Sequence, residues 1–183
     1  MKKNIALVAG GYSGEYEISI RSAGQISENI NRDKYNVYTI VIEKQSWYYS
    51  VEGKRIEIDK NDFSLTLNDE KIIFDGALII VHGTPGENGL LQGYFDMLNI
   101  PYTTCSALVS SITFDKEVCN ALVRSFDIVN VAKNTSVFKD EEFDIDKIEK
   151  NISLPLFVKP SEGGSSIGMS KVTSKEELLP AIE

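Results

Sequence analysis

The sequence predicts an α/β fold with a doubly wound parallel sheet, followed by the beginning of a second, α+β domain. Short apolar runs at residues 4–9 and 77–81 are typical of strands that are covered on both faces. Apolar residues at helical spacing follow the first run, and paired glycines separate the two patterns. Because strands and helices alternate over roughly the first hundred residues, we expect βαβ units with right-handed crossovers.

The elements of the predicted parallel region follow from their patterns in chain order. The first helix is indicated by apolar residues at roughly helical spacing, namely Ile18, Ile20, Ala23, Ile26 and Ile30. The second strand shows strand-like alternation. The predicted elements are a strand at residues 4–9, a helix at 15–30, a strand at 35–42, a strand at 77–81 and a helix at 90–98.

A stretch of short alternating runs interrupts this series. Glu52–Gly53 and Asn68–Asp69 separate the runs as turn signals. We predict a small antiparallel β insertion near residues 46–75, to which the sequence assigns no function. The predicted strands lie at 47–51, 54–58, 63–67 and 71–74.

The pattern changes after Pro101, which predicts one domain at residues 1–103 and a second at 104–183. Ser174 and Glu177 match a helix capping box near the end of the chain. The second domain is expected to be incomplete, because it has too few elements to close a core. Its predicted helices lie at 106–111 and 116–126, and its strands at 156–159 and 169–172.

Composition excludes several classes of function. The formal net charge of −8 argues against binding to nucleic acid or an anionic membrane, since both require a basic face. The first apolar run is too short for a signal peptide, and no run approaches a membrane span. Cys105 and Cys119 lack metal-ligand spacing, so a reducing cytoplasm is the expected compartment.

The segment from Lys159 to Gly168 is the strongest candidate for chemistry. A predicted strand ends in a lysine and enters a loop with three glycines and three serines. Glycines let backbone N–H groups approach an anion, and the lysine adds a positive charge. The spacing is not that of a Walker A loop. A phosphate-covering flap and a mobile hairpin with a surface lysine both remain open.

Two further candidates follow predicted strands and therefore share the carboxyl edge of the sheet, where ligands bind in open α/β folds. Glu15 follows the glycine turn at residues 10–14, and could hold an ammonium group or serve only as a helix-start glutamate. His82 could contact substrate or merely end its strand. Lys116 opens a helix, where its charge opposes the helix dipole; it is either functional or a solvated surface lysine.

The order and spacing of these motifs resemble the D-alanine–D-alanine ligases of the ATP-grasp superfamily, and most nearly their Bacteroidetes members with a β insertion. The likeness covers essentially the whole chain. It implies a pre-ATP-grasp domain followed by an incomplete ATP-grasp domain. The blocks that carry it are Glu15 after the glycine turn, His82–Gly83 with residues 86–89, residues 91–93, residues 100–103, Asp115–Lys116, residues 158–160 and residues 164–168.

The resemblance implies a mechanism and a role for each candidate. ATP phosphorylates the carboxylate of a first D-alanine, and the amine of a second D-alanine displaces the phosphate. Glu15 would hold the first ammonium group in a network with Ser165, and His82 would stabilise the carboxylate. The groups that would contact or cover the ATP phosphates are Lys116, Lys159, Gly163, Gly164, Ser165 and Ser166.

The resemblance also implies what this chain lacks. The Mg²⁺ ligands of the family lie beyond the position of Glu183, so we expect no turnover and weak or absent ATP binding by the 183 residues alone. A homodimer is expected. A D-alanine–D-lactate or D-alanine–D-serine ligase, a non-catalytic nucleotide-binding module and a dimerisation fragment remain alternatives. Tyr16 and the pair Glu162–Gly163 depart from residues that many relatives carry.

Overall fold

A computed structural model describes residues 1–51 and 53–183 of the chain. These residues form two compact units, Met1–Thr113 and Phe114–Glu183. The boundary predicted between residues 103 and 104 stays a prediction. The predicted turn at Glu52 lies outside the described residues.

The first unit contains a sheet of seven strands and three helices, the last of which ends at the unit boundary. The two helices that follow the predicted buried strands both form. The elements are β1 (Lys3–Gly10), α1 (Tyr16–Asn29), β2 (Tyr35–Ile42), β3 (Trp47–Val51), β4 (Lys54–Asp59), β5 (Ser64–Leu67), β6 (Glu70–Ile72), β7 (Gly76–Ile79), α2 (Leu90–Leu98) and α3 (Ala107–Phe114).

The sheet is mixed, and its strand order is β6-β5-β4-β3-β2-β1-β7. β1 pairs in parallel with β2 and β7, while β3 to β6 pair antiparallel and continue the same sheet outward from β2. The α/β fold class is therefore confirmed. The parallel region is limited to three strands, because the β insertion adds strands to the edge of the sheet instead of forming a separate body.

Alternate residues of β1 explain why helices cover both faces. Ala6 and Val8 belong to a core cluster with Leu91 and Phe95 of α2. Leu7 and Ala9 point the other way and pack with Ala23 of α1. Because successive strand side chains point to opposite faces, a strand covered on both sides must be apolar throughout. All four of these β1 side chains are fully buried.

Aromatic rings fill the core on the α2 side. The rings of Phe63 and Phe95 are fully buried and their centroids lie 4.8 Å apart in an edge-to-face arrangement. Trp47 of β3 and Tyr94 of α2 pack around Phe63. The β insertion therefore contributes core side chains to the unit as well as strands to its sheet.

The second unit has fewer layers. β8 and β9 form an antiparallel pair in which Leu156 faces Val172. The capping box at Ser174 is present, and the chain passes from a 3₁₀ turn at Lys175–Glu177 into the last helix. Its elements are α4 (Lys116–Ser125), α5 (Ile145–Asn151), β8 (Leu156–Val158), β9 (Ser170–Val172) and α6 (Leu178–Ile182).

Candidate active site

The turn that follows β1 needs its glycines. Gly10 and Gly11 have φ values of +92° and +111°, which side-chain-bearing residues rarely adopt. A Cβ on Gly10 would lie 2.6 Å from the carbonyl oxygen of Ile42 in β2. The N–H of Gly11 donates to that same oxygen at 2.8 Å. The turn therefore packs closely against β2. This contact fixes the position of the residues that follow the turn.

Ser13 connects the two motifs that the sequence places at the carboxyl edge. Its hydroxyl donates to the carbonyl oxygen of His82 at 2.9 Å and accepts from the backbone N–H of Glu15 at 3.2 Å. A Cβ built on Gly83 would lie 3.7 Å from Oε2 of Glu15, so this carboxylate lies beside the His82–Gly83 backbone. Glu15 is only 8% exposed. The structure therefore brings Glu15 and the His82 segment together.

Glu87 is the partner that sequence reasoning missed. Its Oε2 accepts from the backbone N–H of Gly83 at 2.7 Å, and its Oε1 lies 3.9 Å from Nδ1 of His82. The carboxylate thus holds the turn after His82 and lies within ion-pair range of a protonated imidazole. A glutamate soon after the Gly-Thr-Pro-Gly turn was the available signal, but the turn had to be folded before the carboxylate could be assigned.

A second set of contacts, centred on the carboxylate of Glu43, joins the β insertion to the start of α1. Oε1 of Glu43 accepts from the hydroxyl groups of Tyr48 at 2.9 Å and Tyr16 at 3.3 Å, and Oε2 lies 3.3 Å from Nη1 of Arg55. Burial, followed by the hydrogen bond to Glu43, raises the pKa of Tyr48 well above its usual range. Tyr16, the neighbour of Glu15, is thereby held in place by groups at the end of β2 and in the β insertion.

In the second unit, the predicted phosphate loop joins β8 to β9, as expected of a flap between two strands. Ser165 and Ser166 both adopt left-handed backbone conformations, with φ values of +50° and +58°. Such conformations cost about 1 kcal/mol or more per non-glycine residue and are concentrated at ligand-binding segments. Lys159 is exposed at the start of the loop, with its ammonium group 5.8 Å from the centre of the Phe157 ring.

Lys116 lies beside the root of the same loop. Its ammonium group donates to the carbonyl oxygens of Ser161 at 3.1 Å and Gly163 at 2.8 Å. The structure therefore brings together the loop and Lys116, two of the sequence-predicted parts of a phosphate site. Glu15 and His82 belong to the first unit, and the predicted network of Glu15 with Ser165 stays a prediction.

The described residues give no site for Mg²⁺. Across residues 1–51 and 53–183, no group of three or more His, Cys, Asp or Glu side chains could hold a metal ion. The helices in the same part of the chain include none with the length and apolar character needed to span a membrane.

Comparison with known proteins gives matches over nearly the whole chain. The family model described as D-ala D-ala ligase N-terminus matches residues 4–105, and the one described as D-ala D-ala ligase C-terminus matches residues 122–183. A D-alanine–D-alanine ligase of Phocaeicola vulgatus is 47% identical over all of this chain. The chain spans 56% of that relative's length.

Solved structures agree with these matches. The VanG D-Ala:D-Ser ligase of Enterococcus faecalis superposes with a TM-score of 0.83 and 32% identity, covering 100% of this chain and 59% of that one. The D-alanine–D-alanine ligase of Bacillus anthracis complexed with ATP gives 0.70 and 28%, covering 97% and 53%. The fold and these matches together define the class of protein. Its architecture is that of the D-amino-acid ligases. The chain belongs to the D-alanine–D-alanine ligase family.

Proposed function

We propose that this chain is part of an ATP-dependent ligase that joins two D-alanines into D-alanyl-D-alanine for peptidoglycan precursor synthesis. The observation that carries the proposal is the carboxylate of Glu15. It is 8% exposed, lies at the carboxyl edge of the sheet beside the His82 segment, and occurs in a chain of this family. Small ligands bind at that edge in open α/β folds.

In the first unit, the proposed role of Glu15 is to hold the ammonium group of the first D-alanine. A carboxylate shielded from water binds a cation more strongly than an exposed one, because the local dielectric constant is lower. His82 stabilises the substrate carboxylate, and the carboxylate of Glu87 lies 3.9 Å from its Nδ1. The Ser13 hydroxyl fixes the distance between the two segments.

In the second unit, Lys116, Lys159 and the loop at residues 163–166, which includes Ser165, bind and cover the ATP phosphates. The γ-phosphoryl group passes to the carboxylate oxygen of the first D-alanine, giving an acyl phosphate and ADP. The amine of the second D-alanine then attacks the carbonyl carbon, loses a proton and displaces phosphate. Positioning and charge neutralisation do most of this work.

A second candidate differs only in the acceptor. The VanG D-Ala:D-Ser ligase of Enterococcus faecalis is 32% identical over the full length of this chain. D-serine, and by the same logic D-lactate, therefore belong in the test as competing acceptors. A non-catalytic nucleotide-binding module is the alternative from outside the enzyme class.

The test is phosphate release from ATP by the full-length product of this gene, with D-alanine, D-serine and D-lactate supplied in turn. We expect release with D-alanine and a dipeptide product. Changing Glu15→Gln should lower kcat/KM about 10- to 100-fold, the worth of one charge-assisted hydrogen bond. The matched control is Glu17→Gln, an exposed glutamate in the first turn of the same helix. No release with any D-amino acid would favour the binding module.

The 183 residues alone are proposed to be inactive and to bind ATP weakly, since the chain spans 56% of the relative's length. Dipeptide synthesis or tight Mg-ATP binding by this chain, measured by calorimetry, would contradict that. A cytoplasmic homodimer is also proposed. Both cysteines are free thiols, which suits a reducing compartment. Light scattering on the full-length protein should give twice the monomer mass.

A further inference from the structure

The start of helix α4 and the root of the phosphate loop are tied together by one carboxylate. Oδ1 of Asp115 caps the helix by accepting from the backbone N–H groups of Glu117 at 2.9 Å and Val118 at 3.1 Å. The same oxygen accepts from the hydroxyl of Ser161 at 2.7 Å. Capping an α-helix requires only the first two bonds. The third reaches a residue 46 positions away along the chain.

Ser161 is held by more than this bond. Its Oγ also accepts from the backbone N–H of Glu117 at 3.3 Å. Its carbonyl oxygen accepts from both the backbone N–H of Lys116 at 3.0 Å and the ammonium group of Lys116 at 3.1 Å. Two consecutive residues of α4 therefore bind both polar oxygens of one loop residue, and the Ser161 backbone has a defined position relative to the helix.

Two residues after Ser161, the contacts that hold the loop are different. Lys116 reaches as far as the carbonyl oxygen of Gly163. A Cβ on Gly163 would meet no atom within 4 Å, so the backbone there lies in open space. Beyond it, local turns shape the chain, with the N–H of Ile167 donating to Gly164 and that of Met169 to Ser166. The root of the loop is thus anchored to a helix, while its tip is shaped by its own backbone.

We infer that Asp115 and Ser161 are positioning residues that fix the root of this loop, so that its tip moves about a constant point when it closes. Neither residue need touch a phosphate. Their effect reaches the nucleotide through Lys116 and residues 163–166, and that part rests on the proposed function. The anchoring itself does not, because it is defined by hydrogen bonds within the chain.

The anchor also defines the position of the Lys116 ammonium group. An ammonium group has three donors, and two are directed at the loop carbonyls. The positive charge therefore lies beside the loop. Because the cation is held in position, the cost of ordering it when a phosphate binds is lower.

Hydrogen exchange on this chain tests the inference without ATP or activity. Changing Ser161→Ala removes both Oγ bonds, and we expect exchange of the hydrogen-bonded amides at Lys116, Glu117, Ile167 and Met169 to become about tenfold faster. Amides within α4, such as Leu122, should be unchanged. Ser161→Thr keeps a hydroxyl and should restore slow exchange. Asp115→Asn keeps a helix cap but removes the charge, and should give an intermediate rate.

Two results would overturn the inference. One is an unchanged loop exchange rate in Ser161→Ala. The other is faster exchange of the loop in Ser161→Thr equal to that in Ser161→Ala, which would show that the hydroxyl is not what matters. If Ser161→Ala fails to fold, the Thr and Asn variants still decide. Failure of the full-length protein to release phosphate would remove the proposed function and leave the exchange result standing.

Discussion

In the first unit the glycine turn after β1 lies against the backbone of β2, whereas in the second unit the glycine-serine loop after β8 is held at its root by side chains. Both segments follow a strand and look alike in sequence. A Cβ on Gly10 would come within 2.6 Å of a backbone oxygen, while one on Gly163 would meet nothing within 4 Å. Glycine thus permits close packing in one unit and backbone freedom in the other.

The cores of the two units differ in the same sense. The core of the first unit has edge-to-face and tilted aromatic rings on one face of β1 and aliphatic side chains on the other. All eight tyrosines and the single tryptophan of the chain lie in this unit. The second has a small cluster of aliphatic residues, Ile148, Leu156, Val172 and Leu178. Close backbone packing and hydrogen bonds together fix the first site region, whereas side-chain hydrogen bonds fix the root of the loop in the second. Movement is therefore expected in the loop of the second unit.

The largest expected effect comes from emptying the core of the first unit. Phe95→Ala removes a fully buried ring and should lower the free energy of unfolding by about 3–5 kcal/mol. Met97, in the same helix, is 77% exposed, so Met97→Ala should change it by less than about 0.5 kcal/mol. Urea unfolding followed by Trp47 fluorescence reports this unit. Equal effects of the two variants would refute the packing account.

The second unit offers a matched pair in adjacent residues. Leu178 is 2% exposed and Leu179 is 41% exposed. Leu178→Ala should cost about 2–4 kcal/mol of local stability, read as faster amide exchange of the β8–β9 pair. Leu179→Ala should leave that exchange nearly unchanged. If both variants were silent, the small aliphatic cluster would not be what holds the hairpin.

Glycine substitutions separate the two loop types directly. Gly10→Ala combines a positive φ with a clash against Ile42, and should cost about 3 kcal/mol in unfolding free energy. Gly163→Ala has only the backbone strain and should cost about 1 kcal/mol. Gly24→Ala, within α1 and facing open space, should stabilise by about 0.5 kcal/mol. A Gly163→Ala cost equal to that of Gly10→Ala would show that conformational strain, and not packing, dominates both.

Local patterns were sufficient to predict most of the fold. Apolar periodicity predicted β1, α1 and β2 to within one residue at each end. Each of these elements buries apolar side chains, and the spacing of such side chains differs between a helix and a strand. The strands of the β insertion were also predicted, but their continuation of the main sheet was not, since pairing at an edge depends on residues distant in sequence. Helix α5 was missed because it has only seven residues and depends on its Asp144 cap.

The candidate site shows a similar division. Glu15 and His82 could be assigned to one sheet edge because the carboxyl ends of parallel strands meet there. Ser13 and Glu87 could not be assigned, because their contacts depend on how two turns fold against each other. The role of Ser161 could likewise not be predicted from the sequence, since its hydrogen-bond partner Asp115 is 46 positions away. The sequence pattern predicts the helices, the strands and the edge of the sheet where ligands bind. Which side chains bond to each other depends on the folded backbone.

Alkaline pH should act on the first unit through its tyrosines. Burial, and next the nearby charges of Asp62 and Asp59, raise the pKa of Tyr94 to about 12. Because the unfolded value is about 10, the stabilisation is present below that pH and is lost as the pH rises toward the folded value. We expect a loss of the order of 1 kcal/mol after allowing for solvent exposure. Tyr94→Phe should reduce the alkaline loss of stability in Trp47-monitored unfolding by that amount and leave the contribution of Tyr48 in place.

The smallest effect concerns the carboxylate at the loop root and opposes the alkaline effect in sign. Hydrogen bonds from the Ser161 hydroxyl, then from the Val118 amide, lower the pKa of Asp115, with Lys116 nearby adding to the shift. The stabilisation is therefore present above the ordinary value of about 3.9 and is lost as pH falls through the lower folded value. A carboxyl-carbon NMR titration should place the Asp115 midpoint below that value. Ser161→Ala should move it upward and Ser161→Thr should not. An unmoved midpoint in Ser161→Ala would mean that the helix cap alone holds this carboxylate.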